Sequence, residues 1–306
     1  MALIFNFIDG LGIGPGAGYN PLSQRTWEGL EFFSGSPLYK ERFEERVKNG
    51  QVVKSADARL EVEGLPQSGT GQTTLFSGHN AAKYLGRHHG PFPHSKIKPF
   101  LGEPSMFGQA RKQGYRCHFM NAYPDRFFEM AEKRNRWSCT TKMCIENGIR
   151  LNREEDVWND RAITAEIYQD VWRKRLGIDL PDIDEYRAAQ RLSAAAAEHD
   201  FLLYEYYLTD KAGHAMDPVE AAEALNRIDR LLQAVAGVID FQQHLLLICS
   251  DHGNVEDLSG KTHTLNPVPL MAYGIGADEF KSVNTLTEVT PAIINWLSRY
   301  GNRAPS

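Results

Sequence analysis

Three aspartates and three histidines stand just beyond apolar runs or in the turns that follow them. Asp9 comes directly after Leu3–Ile8 in FIDGLG, Asp210 and His214 lie in LTDKAGH, Asp251 and His252 follow LLLIC in SDHGN, and His263 sits in KTHTLNP. Carboxylates and neutral imidazoles are the side chains that bind Zn, Mn or Mg in catalytic sites. Each residue also has an ordinary reading. An Asp ending a strand is often a turn former or a helix N-cap. His214 could be a surface residue, and Asp251 to Asn254 a simple turn. Their joint occurrence, in this order, argues for metal chemistry over coincidence.

Loops at strand ends can bring such residues together although they lie far apart in sequence. Short β-type runs are read at Leu3–Ile8, Arg116–Met120, Phe201–Leu208, Leu245–Cys249 and Val268–Tyr273. The first, third and fourth are nearly continuous in apolar residues, as strands covered on both faces must be. Amphipathic patterns predict helices over Ser105–Lys112, Ala162–Arg175, Glu185–Glu198, Val219–Val238 and Thr287–Arg299. Alternating strands and helices predict an α/β fold, a mostly parallel sheet sandwiched between helices, whose chemistry collects at the carboxyl ends of the strands.

The 306 residues suit a single α/β domain with a modest insertion. The polar segment 124–160, rich in Arg, Lys, Glu and Trp, reads as an insertion or small cap. The stretch 86–98, GRHHGPFPHSKIK, holds too many Gly, Pro and His residues for a regular element and reads as a loop near the site. A net charge of −5 argues against a general nucleic-acid binder, which needs a basic surface, but not against a small phosphorylated substrate. The four cysteines form no CxxC pair, which disfavours a zinc knuckle and suits a reducing compartment. The short apolar N-terminal run, interrupted by Asn6, is not a signal peptide, and no stretch approaches the ~20 apolar residues of a membrane helix. The expected location is the cytoplasm, with no membrane partner.

The opening DGLGIGPGAG fits a relaxed dinucleotide fingerprint through Gly12, Gly14 and Ala17. Pro15 lies inside it, no amphipathic helix follows at once, and Glu28, the acid downstream, sits on a helix-like stretch instead of a second strand end. Nucleotide-cofactor binding is therefore disfavoured.

The order of these motifs resembles the alkaline phosphatase superfamily, and within it most closely the cofactor-independent phosphoglycerate mutases. DHGN followed by THT-x-NPVP carries most of the resemblance, whose pieces run from residue 6 to residue 274. The resemblance implies an alkaline phosphatase-like core and two divalent cations. Asp9, Asp251, His252 and the nucleophile oxygen would hold one; Asp210, His214 and His263 would hold the other. The segment SGTGQTTLFSG offers several hydroxyls. In several branches the nucleophile lies ten residues before a glycine, here Gly78, and the mutase pattern N-S-x-x-G aligns with Gln67 to Gly71. Both registers select Ser68, with Thr70 and Thr73 as alternatives. Ser68 could also merely cap a helix, though a helix N-terminus itself favours an incoming phosphate. Sulfatases need Pro and Arg after the nucleophile, and Gly69, Thr70 and Gly71 stand there instead.

The expected activity is hydrolysis of phosphate esters, as a phosphatase or phosphodiesterase, through a phosphoserine intermediate. A serine hydroxyl is a poor nucleophile until a cation lowers its pKa. The alternatives are a phosphomutase and a metal-binding domain without activity. The mutases carry a large arginine-bearing domain between nucleophile and second metal motif, and the roughly 140 residues from Ser68 to Asp210 are too few for it. Mixed Asp and His ligands suit Mn or Zn better than Mg. Asn80, Arg87, His88, His89, Lys96 and Lys211 are candidate contacts to a small phosphorylated substrate.

Overall fold

A computed structural model of the chain describes residues 1–134 and 136–302. Seven strands form one sheet: β1 Ala2–Ile8, β2 Arg46–Lys48, β3 Gln51–Ala56, β4 Cys117–Phe119, β5 Phe201–Tyr206, β6 His244–Cys249 and β7 Val268–Gly274, in the order β2-β3-β7-β6-β1-β5-β4. β1 pairs in parallel with β5 and β6, and β4 with β5. β7 runs antiparallel to both β6 and β3, and β2 antiparallel to β3, so five of the seven strands point the same way.

The nearly continuous apolar run of β1, interrupted only by Asn6, follows from its interior position in the sheet. Leu3, Phe5 and Phe7 enter one core, with Phe76, Phe107 and Trp296. Ala2, Ile4 and Ile8 enter the other, with Leu30, Leu192 and Leu231. Both faces are thus dry, and alternation of polar and apolar residues would bury uncompensated polar groups. The second core is closed by helices Glu28–Ser34, Glu185–Glu198 and Pro218–Val238. In the last of these, the Asp217 carboxylate accepts from the Val219 and Glu220 amides and Pro218 fills the first turn. Ala221, Leu225, Ile228, Leu232 and Val235 then recur at helical spacing and are buried.

Two predicted elements differ, and one hairpin was not predicted. Only Asp170–Leu176 of the predicted helix 162–175 is helical. Ile163 instead pairs with the chain beyond β4, accepting from the Ala122 amide and donating to Met120. Ile167 and Gln169 adopt φ of 72° and 63°, which a helix cannot include. Leu208, predicted as the end of a strand, opens helix Leu208–Ala215. The β2–β3 hairpin was not expected, although Asn49 and Gly50 at its tip are the residues such turns favour. Among the described residues no helix is long and apolar enough to cross a membrane.

Candidate metal centre

Three neighbouring parallel strands deliver the acids to one end of the sheet. Asp9 is the residue after β1 and Asp251 lies two beyond β6. β5 runs into helix Leu208–Ala215, whose 3.6-residue period puts Asp210 and His214 on one face. The glycine-rich opening serves this convergence. Gly10 has φ +73°, and a Cβ there would lie 2.8 Å from the Asp210 Cα. A Cβ on Gly12 would lie 2.2 Å from Glu256 Oε1, and the Gly12 amide donates to Glu256 Oε2 at 3.0 Å. These glycines let the backbone approach acids; they do not form a dinucleotide turn.

Two ligand groups result: Asp9, Asp251 and His252, and Asp210, His214 and His263. In each, the donor atoms lie within 4.8 Å of one another. His252 Nε2 is 3.5 Å from Asp9 Oδ1 and 3.3 Å from Asp251 Oδ2. Asp9 Oδ1, both Asp251 carboxylate oxygens and His252 Nδ1 are buried without a hydrogen-bond partner. Uncompensated buried carboxylates are costly, and a cation is the compensation that this donor set suits. Burial, then the charges of Asp251, Asp210 and Glu205, raises the Asp9 pKa well above the carboxylate range. Burial lowers the pKa of His252, leaving its ring neutral as a ligand must be.

The second group carries an independent sign. His214 Nδ1 lies 2.7 Å from the Lys261 carbonyl oxygen, and His263 Nδ1 lies 2.7 Å from that of Pro66. Carbonyls only accept, so in the neutral rings the protons sit on Nδ1. Both Nε2 lone pairs then face each other at 3.1 Å, an arrangement that needs a cation or a proton between them. Asp210 closes the group, 3.4 Å from His214 Nε2 and 3.5 Å from His263 Nε2. Burial would raise its pKa, but hydrogen bonds with His263 and Asn254 and the nearby imidazoles outweigh it and lower it to about 2. Burial disfavours a charged His263, yet Asp210 and the Pro66 carbonyl raise its pKa: without a cation, a proton takes that place. The His252 and His263 rings stack at 3.7 Å, joining the two groups.

Ser68 opens helix Ser68–Ser77, which ends at Gly78 with φ 75°. Its Oγ lies 3.0 Å from His252 Nε2. Thr70 Oγ1 donates to the Gln67 carbonyl at 3.0 Å and Thr73 Oγ1 to that of Gly69 at 2.6 Å, so both hydroxyls are engaged by their own helix. Of the candidate substrate contacts, Lys211 lines the same cavity as Ser68, Asp9 and Asp210. Asn80 caps helix Ala81–Leu85 and its amide donates to Leu60 O. Arg87, His88 and His89 line a separate groove with Gln67, and His88 Nε2 pairs with the Val62 carbonyl. Lys96 is exposed beside His94.

Several residues at the centre escaped the sequence reading. Gln72 donates to Asp9 Oδ2 at 3.1 Å. Glu205, whose Oε1 accepts from Thr140 at 2.9 Å, lines the Ser68 cavity, and burial pushes its pKa up to about 7. Its signal was a carboxylate inside an otherwise apolar strand. Glu256 accepts from the Gly12 and Asn254 amides, from Asn266 and from Thr264, tying DGLG, DHGN and THTLN into one unit.

Residues 175–299 match the sequence model of the Metalloenzyme superfamily, a stretch that contains Asp210, His214, Asp251, His252 and His263 but neither Asp9 nor Ser68. The chain is 33% identical over 116 residues to a 2,3-bisphosphoglycerate-independent phosphoglycerate mutase of Methanothermobacter thermautotrophicus; the match covers 37% of this chain and only 28% of the mutase. In three dimensions it superposes on a protein from Pyrococcus horikoshii with TM-score 0.60 and 13% identity, covering 99% of this chain and 98% of that one. On the alkaline phosphatase of an Antarctic bacterium the TM-score is 0.57 with 13% identity, covering 98% of each chain. The chain thus has the alkaline phosphatase-like fold, and its residues 175–299 are similar to the Metalloenzyme superfamily.

Proposed function

We propose that the protein hydrolyses phosphate esters with Ser68 as nucleophile and two divalent cations, Mn or Zn, as cofactors. One observation carries the reading: the Ser68 hydroxyl, on a helix N-terminus, lies 3.0 Å from His252 in a buried Asp/His group whose carboxylate oxygens lack hydrogen-bond partners, with a second, more exposed Asp/His group beside it. Asp9, Asp251, His252 and Ser68 would hold one cation, and Asp210, His214 and His263 the other. Bound there, the cations would lower the pKa of the serine hydroxyl and offset the phosphate charge. Ser68 Oγ attacks phosphorus, and the bond to the ester oxygen breaks as the new P–O bond forms. The alcohol departs with a proton and phosphoserine remains. Ser68 is the first residue of helix Ser68–Ser77, so the positive end of the helix dipole would favour the incoming phosphate. Water then cleaves the phosphoserine bond, releasing phosphate and restoring the hydroxyl.

The test uses metal-depleted protein reloaded with Mn or Zn, assayed on p-nitrophenyl phosphate and bis-p-nitrophenyl phosphate. Turnover of the monoester is expected. Ser68→Ala abolishes it while two cations remain by elemental analysis, and full activity in that variant removes Ser68 from its role. A phosphomutase is the second reading, favoured by the 33% identity to a mutase over 116 residues. Transfer of labelled phosphate to a second hydroxyl, without release to water, would establish it. Two bound cations with neither reaction would mark a metal-binding domain without activity.

A further inference from the structure

The cavity onto which Ser68 opens has a volume of about 540 Å³. Pockets for whole small molecules run from roughly 300 to 1,000 Å³. Its lining includes a group of apolar, largely aromatic side chains: Phe92 from the loop after Ser68, Tyr123, Phe127 and Met130 from the 124–160 region and the turn before it, and Trp172. Tyr123 and Phe127 stack with centroids 4.1 Å apart and planes 16° apart. Phe92 and Met130 keep 37% and 48% of their surface exposed, and the Arg136 guanidinium lies over the Phe92 ring at 5.3 Å from its centroid. The cationic side chains lining the cavity are Arg126 and Lys211, and Lys211 is adjacent to Asp210 at the phosphate end. A small polyanionic substrate would leave the aromatic side chains wet and unused. Exposed rings beside a reactive hydroxyl gain most by covering another flat, apolar ring.

From this lining we infer that the substrate is a phosphomonoester whose alcohol part bears a planar aromatic ring, seated against Phe127 and Phe92 while the phosphate meets Ser68. This inference rests on the hydrolase reading for its reaction, but its binding arm does not. Such a ring could belong to an aryl alcohol or to a nucleoside. In the cation-loaded Ser68→Ala protein, calorimetry compares 1-naphthyl phosphate, adenosine 5′-monophosphate and glycerol 3-phosphate. At least one ring compound is expected to bind ten times more tightly than glycerol 3-phosphate, and which one does so identifies the source of the ring. Phe127→Ala, and separately Phe92→Ala at the exposed mouth, should reduce that ratio about tenfold, while 1-naphthyl phosphate quenches the fluorescence of Trp172 in the parent protein. Equal affinity for all three compounds, or a ratio unchanged in both variants, overturns the inference. Ring preference in a wild-type protein that cleaves no ester would instead remove the hydrolase reading and leave the pocket assignment standing.

Discussion

Two histidines whose Nδ1 protons are committed to the carbonyls of Lys261 and Pro66 have one atom left to offer, and both offer it to the same point beside Asp210. His263→Ala removes one of the two Nε2 donors and should lower bound cation from two equivalents to about one, measured by elemental analysis after gel filtration. An unchanged stoichiometry would take His263 out of the ligand set. Glu205 permits a sharper test. Burial raises its pKa from 4.5 to about 7 in the fold, so the folded protein holds this proton more tightly than the unfolded chain. Its burial therefore costs nothing below pH 4.5, and an increasing amount as pH rises toward 7. Glu205→Gln keeps the acceptor for Thr140 and cannot ionise. In metal-free protein the variant should match wild type at pH 4.5 and exceed it at pH 8 by on the order of 3 kcal/mol in denaturant titrations. Equal stability at both pH values would mean that Glu205 is not held in a dry environment.

The elements that place the site were largely legible because burial leaves a continuous apolar signature. β1, β5 and β6 show it, and the acids at or just beyond their ends follow from it. Helix Pro218–Val238 was legible through its periodic stripe. Segment 162–169 was not, because its conformation is set by remote partners: Arg191 donates to the Ala162 carbonyl and to the Gln169 side chain, and Ile163 joins the chain after β4. Such contacts override local helical propensity. The β2–β3 hairpin is the opposite case, a local signal passed over. Gly50 has φ 76° and a Cβ there would meet nothing closer than 3.9 Å, so its requirement is purely conformational. Gly50→Ala should destabilise the fold by ~1 kcal/mol through strain alone, seen as a lower thermal midpoint with cation content unchanged. No loss of stability would mean that the turn relaxes out of the left-handed region.

At the scale of the whole molecule the candidate centre opposes folding until it is filled. The chain brings Asp9, Asp251, Asp210 and Glu205 to one end of its sheet, and burial, followed by repulsion among them, raises the pKa values of Asp9 and Glu205. No local pattern revealed this, since the repulsion exists only once three strands and a helix have met. Protons relieve it when cations are absent. Asp9, Glu205 and His263 all bind protons more tightly in the fold, so each makes the metal-free protein less stable as pH rises through its shifted value. His252 acts the other way, with an effect that fades over about a pH unit above the ordinary histidine pKa of about 6.5, as the unfolded chain releases the proton that the buried ring refuses. The lowered pKa of Asp210 matters only between about 2 and 4. His88, His89, His118 and His244, whose pKa values burial chiefly lowers, act as His252 does, but they lie outside both candidate groups and so contribute alike with and without cations. Between pH 6.5 and 8 the chelated protein should therefore lose thermal stability relative to the cation-loaded protein. The cation-loaded protein should gain, because its ligands no longer compete with protons and ligand binding adds stability with affinity. The gap between the two melting temperatures should widen across that interval. A gap that stays constant or narrows would mean that these carboxylates and imidazoles do not share their protons with a cation, and the two-cation centre would fall with it.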